Sequence, residues 1–357
     1  MALSCRENYL RNASFQCPEY MPVNIAISAA SWIEGGDELE QVVAHHPRIW
    51  PNFEKGKRDW AGFDLEKYTA GANFRDAWGC LWEANVTGLE GQVIESPLEN
   101  WDSSDTWRAP DPLLTADRGP VDWDGIRKDI EARRVKGELT SGGLPHGFFF
   151  MRLTYLRGFE NMMIDMAIED PRLWSLIDAI YEHNRVIIAQ YLDMNVDLVG
   201  IAEDLGAQTA SIIGPEMFRK YCMPTYQKLL LPCRERGCHI VMHSDGYIMD
   251  LLDDLISAGV TIINPQDLCN GIDNLRRACK GRVCICLDVD RQSIVPFGTP
   301  TEIHELVEEE VRELGSSTGG LELIAGIYPP TPPRNIDALA TAFEDFQTFW
   351  FDGRGKQ

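Results

Sequence analysis

From Asp197 onward the chain alternates two apolar patterns. Short runs of β-branched and aliphatic residues end in polar side chains, and each is followed by a stretch with apolar positions at helical spacing. The runs are DLVGIAEDLG from Asp197, CHIVMHSDG from Cys238, VTIINPQDL from Val260, RVCICLDVD from Arg282 and LELIAGIYPP from Leu321. Between them the spacing predicts helices over Pro215 to Arg236, Tyr247 to Ala258, Ile272 to Lys280 and Thr301 to Leu314. Start signals agree: Thr301 precedes Glu302, and Gly214-Pro215-Glu216 puts proline in a first turn beside an acid.

Strand, helix, strand in repetition requires right-handed crossovers and a parallel sheet. The runs are apolar throughout, so both faces of that sheet must be covered. Three earlier runs, MPVNIAIS from Met21, DAWGCLWEA from Asp76 and GFFFMRLTY from Gly147, bring the expected strands to eight. Eight parallel strands with intervening helices close into a (β/α)8 TIM-type barrel. A doubly wound sheet would carry a glycine-rich phosphate loop, and neither GxGxxG nor GxxxxGK[ST] occurs. The stretch Glu95 to Pro120, rich in Asp, Pro and Trp, reads as a long loop over one end of the barrel. With no low-complexity linker, residues 1–357 are expected to form a single domain.

Charge narrows the function. Lys and Arg total 33 against 55 Asp and Glu, a formal charge of −22. That surface lacks the basic footprint of a nucleic-acid binder. No run of 18 apolar residues suits a membrane, and Arg6 and Glu7 interrupt any secretory leader, so a cytoplasmic location is expected. Ten cysteines lie scattered without a CxxC, which predicts free thiols, mostly small buried hydrophobes.

In a barrel the reactive groups stand at the carboxyl ends of the strands. Collecting the polar residues that close each run gives Glu203 and Asp204; His243, Ser244 and Asp245; Asn264, Gln266 and Asp267; Asp288 and Asp290; and Tyr328. His243 is the sharpest signal, because an imidazole among carboxylates can ligate a metal or act as a base near neutral pH. Asp245 and Asp290 have an alternative as helix caps. Trp78, Trp82, Trp101 and Trp107 with Phe148 to Phe150 form either a core or an apolar lid against a planar ligand. His45, His46, His146, His183 and His304 have no company comparable to that of His243 and read as structural or surface residues.

The segments IAEDLGAQTASIIGPEMFRKYCMPTYQKLL and HIVMHSDGYIMDLLDDLISAGVTIINPQ resemble the uroporphyrinogen decarboxylase superfamily, with its D-L-G, H-[ST]-[CD]-G and N-P-[VL]-Q motifs. RENYLRN from Arg6 resembles the family's opening helix, an N-terminal extension, and DAWGCLWE from Asp76 its D-x-[WF]-G-x-x-[WF] segment. The resemblance implies a (β/α)8 barrel and one of two chemistries. True uroporphyrinogen decarboxylases hold a polycarboxylate with N-terminal arginines; here AASWIEGGDELEQ follows Ser28 with none. The other branch passes methyl groups between small compounds and a corrinoid on a separate protein, several members binding zinc through H-x-C and a later Cys. His243 matches the histidine, but Asp245 stands at the cysteine and Ala325 to Pro329 offers no thiol.

The resemblance thus implies a corrinoid-linked methyltransferase acting on a small methoxylated or methylamine-type compound. Any cobalamin would arrive on a partner, since no D-x-H-x-x-G pattern occurs. Its site residues would be His243, Asp245, Glu203 and Tyr328 in catalysis, with Trp78, Trp82, Asp204, Asn264 and Gln266 around the substrate. Zinc or another divalent ion would be held by His243 with Glu203, Asp245 and Asp288, and Asp267 is a further oxygen donor for it. A metal-free His243–Asp245 proton-transfer pair, a decarboxylase or lyase on a small organic acid, and a barrel that only binds its ligand stay open, as does a homo-oligomer. Like-charge repulsion in so acidic a site predicts that purified protein forms no coproporphyrinogen from uroporphyrinogen in a porphyrin assay.

Overall fold

The computed structural model describes residues 2–56, 64–115, 117 and 119–356. Its strands are β1 (Val23–Ile27), β2 (Asn73–Arg75), β3 (Leu81–Glu83), β4 (Gln92–Glu95), β5 (Ser141–Gly143), β6 (Leu198–Glu203), β7 (His239–Ser244), β8 (Ile262–Pro265), β9 (Cys284–Asp288) and β10 (Leu321–Ile327). The chain divides into two compact units. One comprises Met1–Ala72, Ala84–Gly91 and Pro265–Gln357, the other Asn73–Glu83 and Gln92–Asn264.

In the first unit β1, β10 and β9 are parallel neighbours, with Val23 opposite Leu323 and Leu321 opposite Ile285. All five residues of β9 are buried, as a strand covered on both faces requires. Helix Cys5–Ala13 is the expected N-terminal extension. Helix Pro300–Leu314 begins with a capping box of Thr299 and Glu302, so its N-cap lies two residues before the expected Thr301.

In the second unit β5, β6 and β7 run parallel, followed in sheet order by β8. Two expected strands are replaced. The Asp76 run lies in an antiparallel sheet of β2, β3 and β4. The Gly147 run is helix Phe150–Arg157, whose buried Phe150, Leu153 and Leu156 follow helical spacing. The parallel strand before β6 is instead Ser141-Gly142-Gly143. These glycines are steric necessities: a Cβ on Gly142 would lie 2.0 Å from the Tyr191 ring, and one on Gly143 2.4 Å from the Gly200 carbonyl oxygen. Residues 96–120 are the expected long loop, apart from a turn of 3-10 helix at Trp101–Ser103; positions 116 and 118 lie outside the described residues.

The helix expected over Pro215 to Arg236 forms as Pro215–Met217 and Met223–Glu235 joined by a π turn, while Tyr247 to Ala258 shortens to Leu252–Ala258. All ten cysteines are free and seven are buried. No helix among the described residues is long and apolar enough to cross a membrane.

Within the first unit the Glu310 carboxyl, fully buried on helix Pro300–Leu314, faces that of Asp267. Asp267 accepts the N–H groups of Leu268 (2.6 Å) and Asp290 (2.9 Å). Burial pushes Asp267 up to about 6 and Glu310 well above the usual carboxyl range. The folded chain therefore holds protons that the unfolded chain releases near pH 4. The stability they confer is complete below that pH and is lost as pH rises through about 6 and beyond. Glu310→Gln keeps a donor toward Asp267 and removes one of these protons. Chemical denaturation should find it more stable than the native chain at pH 8, with the difference vanishing toward pH 4.

Candidate active site

The site of the second unit is assembled on a buried carboxylate. Glu203, the last residue of β6, has no solvent exposure. It accepts the N–H groups of Phe149 (2.8 Å) and Phe150 (2.7 Å) on Oε1 and that of Met151 (3.0 Å) on Oε2. These are first-turn donors of helix Phe150–Arg157, which no intrahelical carbonyl can satisfy. Burial raises Glu203 to about 7, against the pull of the three N–H groups and His146. Glu203 thus anchors the start of a helix, a bond pattern that its strand-end position did not disclose.

The loops after β6 and β7 are stitched together beyond this anchor. Asp245 donates its N–H to the Glu203 carbonyl (3.3 Å), Gly206 to the Asp245 carbonyl (3.1 Å) and Tyr247 to the Ala207 carbonyl (2.7 Å). The backbones touch at Gly206 and Gly246. A Cβ on Gly246, whose φ is +75°, would lie 2.2 Å from the Gly206 oxygen, so the D-L-G and H-S-D-G motifs are two halves of one crossing.

The crossing leaves four polar side chains grouped around His243. Its Nδ1 meets Asn264 Oδ1 at 2.8 Å and its Nε2 meets Asp245 Oδ1 at 3.1 Å. The ring of His146 lies 6.2 Å from that of His243, and His146 Nε2 is 3.2 Å from Asp204 Oδ1. His146, Asp204 and His243 each bring a ligand atom within 4.8 Å of one another. The sequence marks His146 only as structural or surface, whereas here it stands beside Asp204. It follows β5, and the polar residue after that strand would have been collected had a Ser-Gly-Gly strand been recognisable from apolar content. Elsewhere His46 meets Asp337 and Glu344, His183 the Pro110 carbonyl and His304 Asp345.

Trp78 and Trp82 form no lid. Both are buried, Trp82 donating to Asp76 (2.8 Å) and stacking on Phe74, Trp78 lying beneath the Arg152 guanidinium and against His183. Asp76 and Asp117 neutralise that arginine, which explains the acid at the head of DAWGCLWE.

The first unit holds the remaining expected residues. Asp288 is buried at the end of β9 and pairs with Arg291 (3.2 Å), whose guanidinium lies over the ring of Tyr328, the residue after β10. Gln266 pairs with Asp288 in a parallel bridge and accepts from Asn270 on its carbonyl. Asp267 accepts two backbone N–H groups and faces Glu310. Asp290 accepts from residues 292–295 and is a helix cap.

An α/β chain with reactive side chains on the loops that follow parallel strands has the organisation of a barrel enzyme. The protein superposes on a methyltransferase from Methanosarcina mazei with a TM-score of 0.64, over 96% of this chain and 98% of that one at 16% identity, which shows a TIM-barrel-like fold. The model of the uroporphyrinogen decarboxylase (URO-D) family matches residues 89–346, and the chain belongs to that family. A curated relative, the methylcobamide:CoM methyltransferase MtbA of Methanosarcina acetivorans, is 22% identical over 176 residues; the match spans 48% of this chain and about half (49%) of the relative.

Glu203→Gln tests the anchoring role. An amide presents one N–H pair toward a cradle of N–H donors, so the variant should lose about 1–3 kcal/mol in a denaturant titration. Any activity should fall only in step with the folded fraction.

Proposed function

We propose that the protein is a methyltransferase that moves a methyl group from a small methoxylated or methylamine-type compound to a corrinoid carried by a separate protein. The observation that supports this most is the setting of His243. With Nδ1 held against the Asn264 carbonyl oxygen, that nitrogen carries the ring hydrogen. Nε2 then faces the Asp245 carboxylate, an acceptor against an acceptor, and the pair calls for a proton or a metal ion. His146 and Asp204 add a second such pair beside it.

The donor set His146, Asp204 and His243 fits a divalent ion such as zinc, with nitrogen and oxygen ligands in place of thiolates. Bound there, it would polarise the oxygen or nitrogen that gives up the methyl group. Asn264 fixes the tautomer of His243 and so leaves Nε2 as the nitrogen for the ion. Where no ion is held, a proton between Nε2 and Asp245 would instead pass to the departing oxygen, which leaves as an alcohol while the methyl group goes to the corrinoid. Family membership is compatible with this reading, and the name of the curated relative contains a methylated corrinoid.

His243→Ala should lower methyl transfer to an added corrinoid protein by about 10²–10⁴-fold, measured across a panel of methoxylated and methylated-amine donors, with the melting temperature nearly unchanged. Bound metal should fall with it. Loss of activity from a stable protein that never carries metal would assign His243 and Asp245 to proton transfer alone. Carbon dioxide release from small organic acids without methyl transfer would replace the proposal with a decarboxylase, and full transfer activity in the variant would remove His243 from the mechanism.

A further inference from the structure

We infer that the second unit carries another ligand site, built for a planar aromatic monocarboxylate, in the loop between β4 and helix Trp123–Val135. A cavity of 430 Å³ opens there, within the range of small-molecule pockets. Its walls include Trp101, Trp107 and Arg108 from the loop and Arg172, Ser175 and Leu176 from helix Pro171–Asp193. None of its lining residues belongs to the His243 group.

The floor is rigid. Trp101 is buried between two guanidinium groups, Arg157 at 4.5 Å and Arg172 at 5.2 Å from its ring centroid. Arg157 is consumed by Asp165 and the carbonyls of Leu98 and Glu99. Trp107 is fixed by stacking on Trp78 and by its N–H bond to the Trp78 carbonyl. Two aromatic walls that cannot turn away suit a flat ligand.

The charge suits an acid. Arg108 uses only Nη1, on the carbonyls of Asp105 and Trp107, so Nε and Nη2 are unpaired among the described residues. Arg172 places Nε and Nη2 on Asp170 and leaves Nη1 unpaired among them. Unpaired arginine edges beside indole rings, Arg172 lying over that of Trp101, fit a carboxylate attached to a ring. Asp105, on the same wall, repels a second negative charge, so the site takes a monocarboxylate in preference to a phosphate monoester.

Titration calorimetry with indole-3-carboxylate, benzamide and phenyl phosphate tests this on the full chain. Indole-3-carboxylate should bind saturably. Arg108→Ala, in an exposed loop, should weaken it at least tenfold, and Ser175→Trp, which fills the cavity, should abolish it. Benzamide and phenyl phosphate should bind at least tenfold more weakly, and His243→Ala should leave binding unchanged. No saturable binding, equal binding of phenyl phosphate, or undiminished binding in the Arg108 and Ser175 variants would each overturn the inference.

Discussion

A carboxylate without access to water persists at the end of β6 because the first N–H groups of helix Phe150–Arg157 have no other acceptor. Each side of this contact would be costly alone: an unpaired buried anion on one strand, orphan donors on a helix start. Together they fix the helix to the strand. The same strand guides the chain that leads into the helix, since Leu144 and Gly147 donate to the Gly200 and Ala202 carbonyls. His146 lies within that guided segment, so its approach to Asp204 follows from backbone pairing.

Much of the barrel was legible because parallel strands covered on both faces must be apolar along their length, and β6 to β10 obey this. The parts that misled have definite causes. Strand β5 is Ser-Gly-Gly, selected by the closeness of Tyr191 and Gly200, and small residues chosen for clearance carry no hydropathy signal. Phe148, Phe149 and Phe150 read as a strand because three successive buried rings mask the helical spacing of Leu153 and Leu156. Strand-end acids were ambiguous for a physical reason: a carboxylate there can face a ligand or accept from the next helix. Glu203 and Asp290 do the second, and what separates them from Asp204 and Asp245 is the path of the following backbone.

Acid is abundant here, yet the interior is not simply anionic. Arg152 lies between Asp76 and Asp117, and Arg157 against Asp165 beneath Trp101. These pairs tie the small antiparallel sheet around DAWGCLWE and the long loop to helix Phe150–Arg157 and its successor. Removing one partner of such a pair leaves a buried charge, so these loops are fixed electrostatically where the strands are fixed by packing.

The crossing at Gly206 and Gly246 separates two properties that protein sites often confound. Because the two backbones touch there with no side chain between them, the positions of residues 204, 243 and 245 are set by main-chain geometry. Their chemical identity is then free to drift. An aspartate stands at 245 where the resembled motif carries cysteine, a hard side chain for a soft one, on a frame that does not depend on either. A crossing of this kind lets the chemistry of the side chains vary without the chain first having to refold.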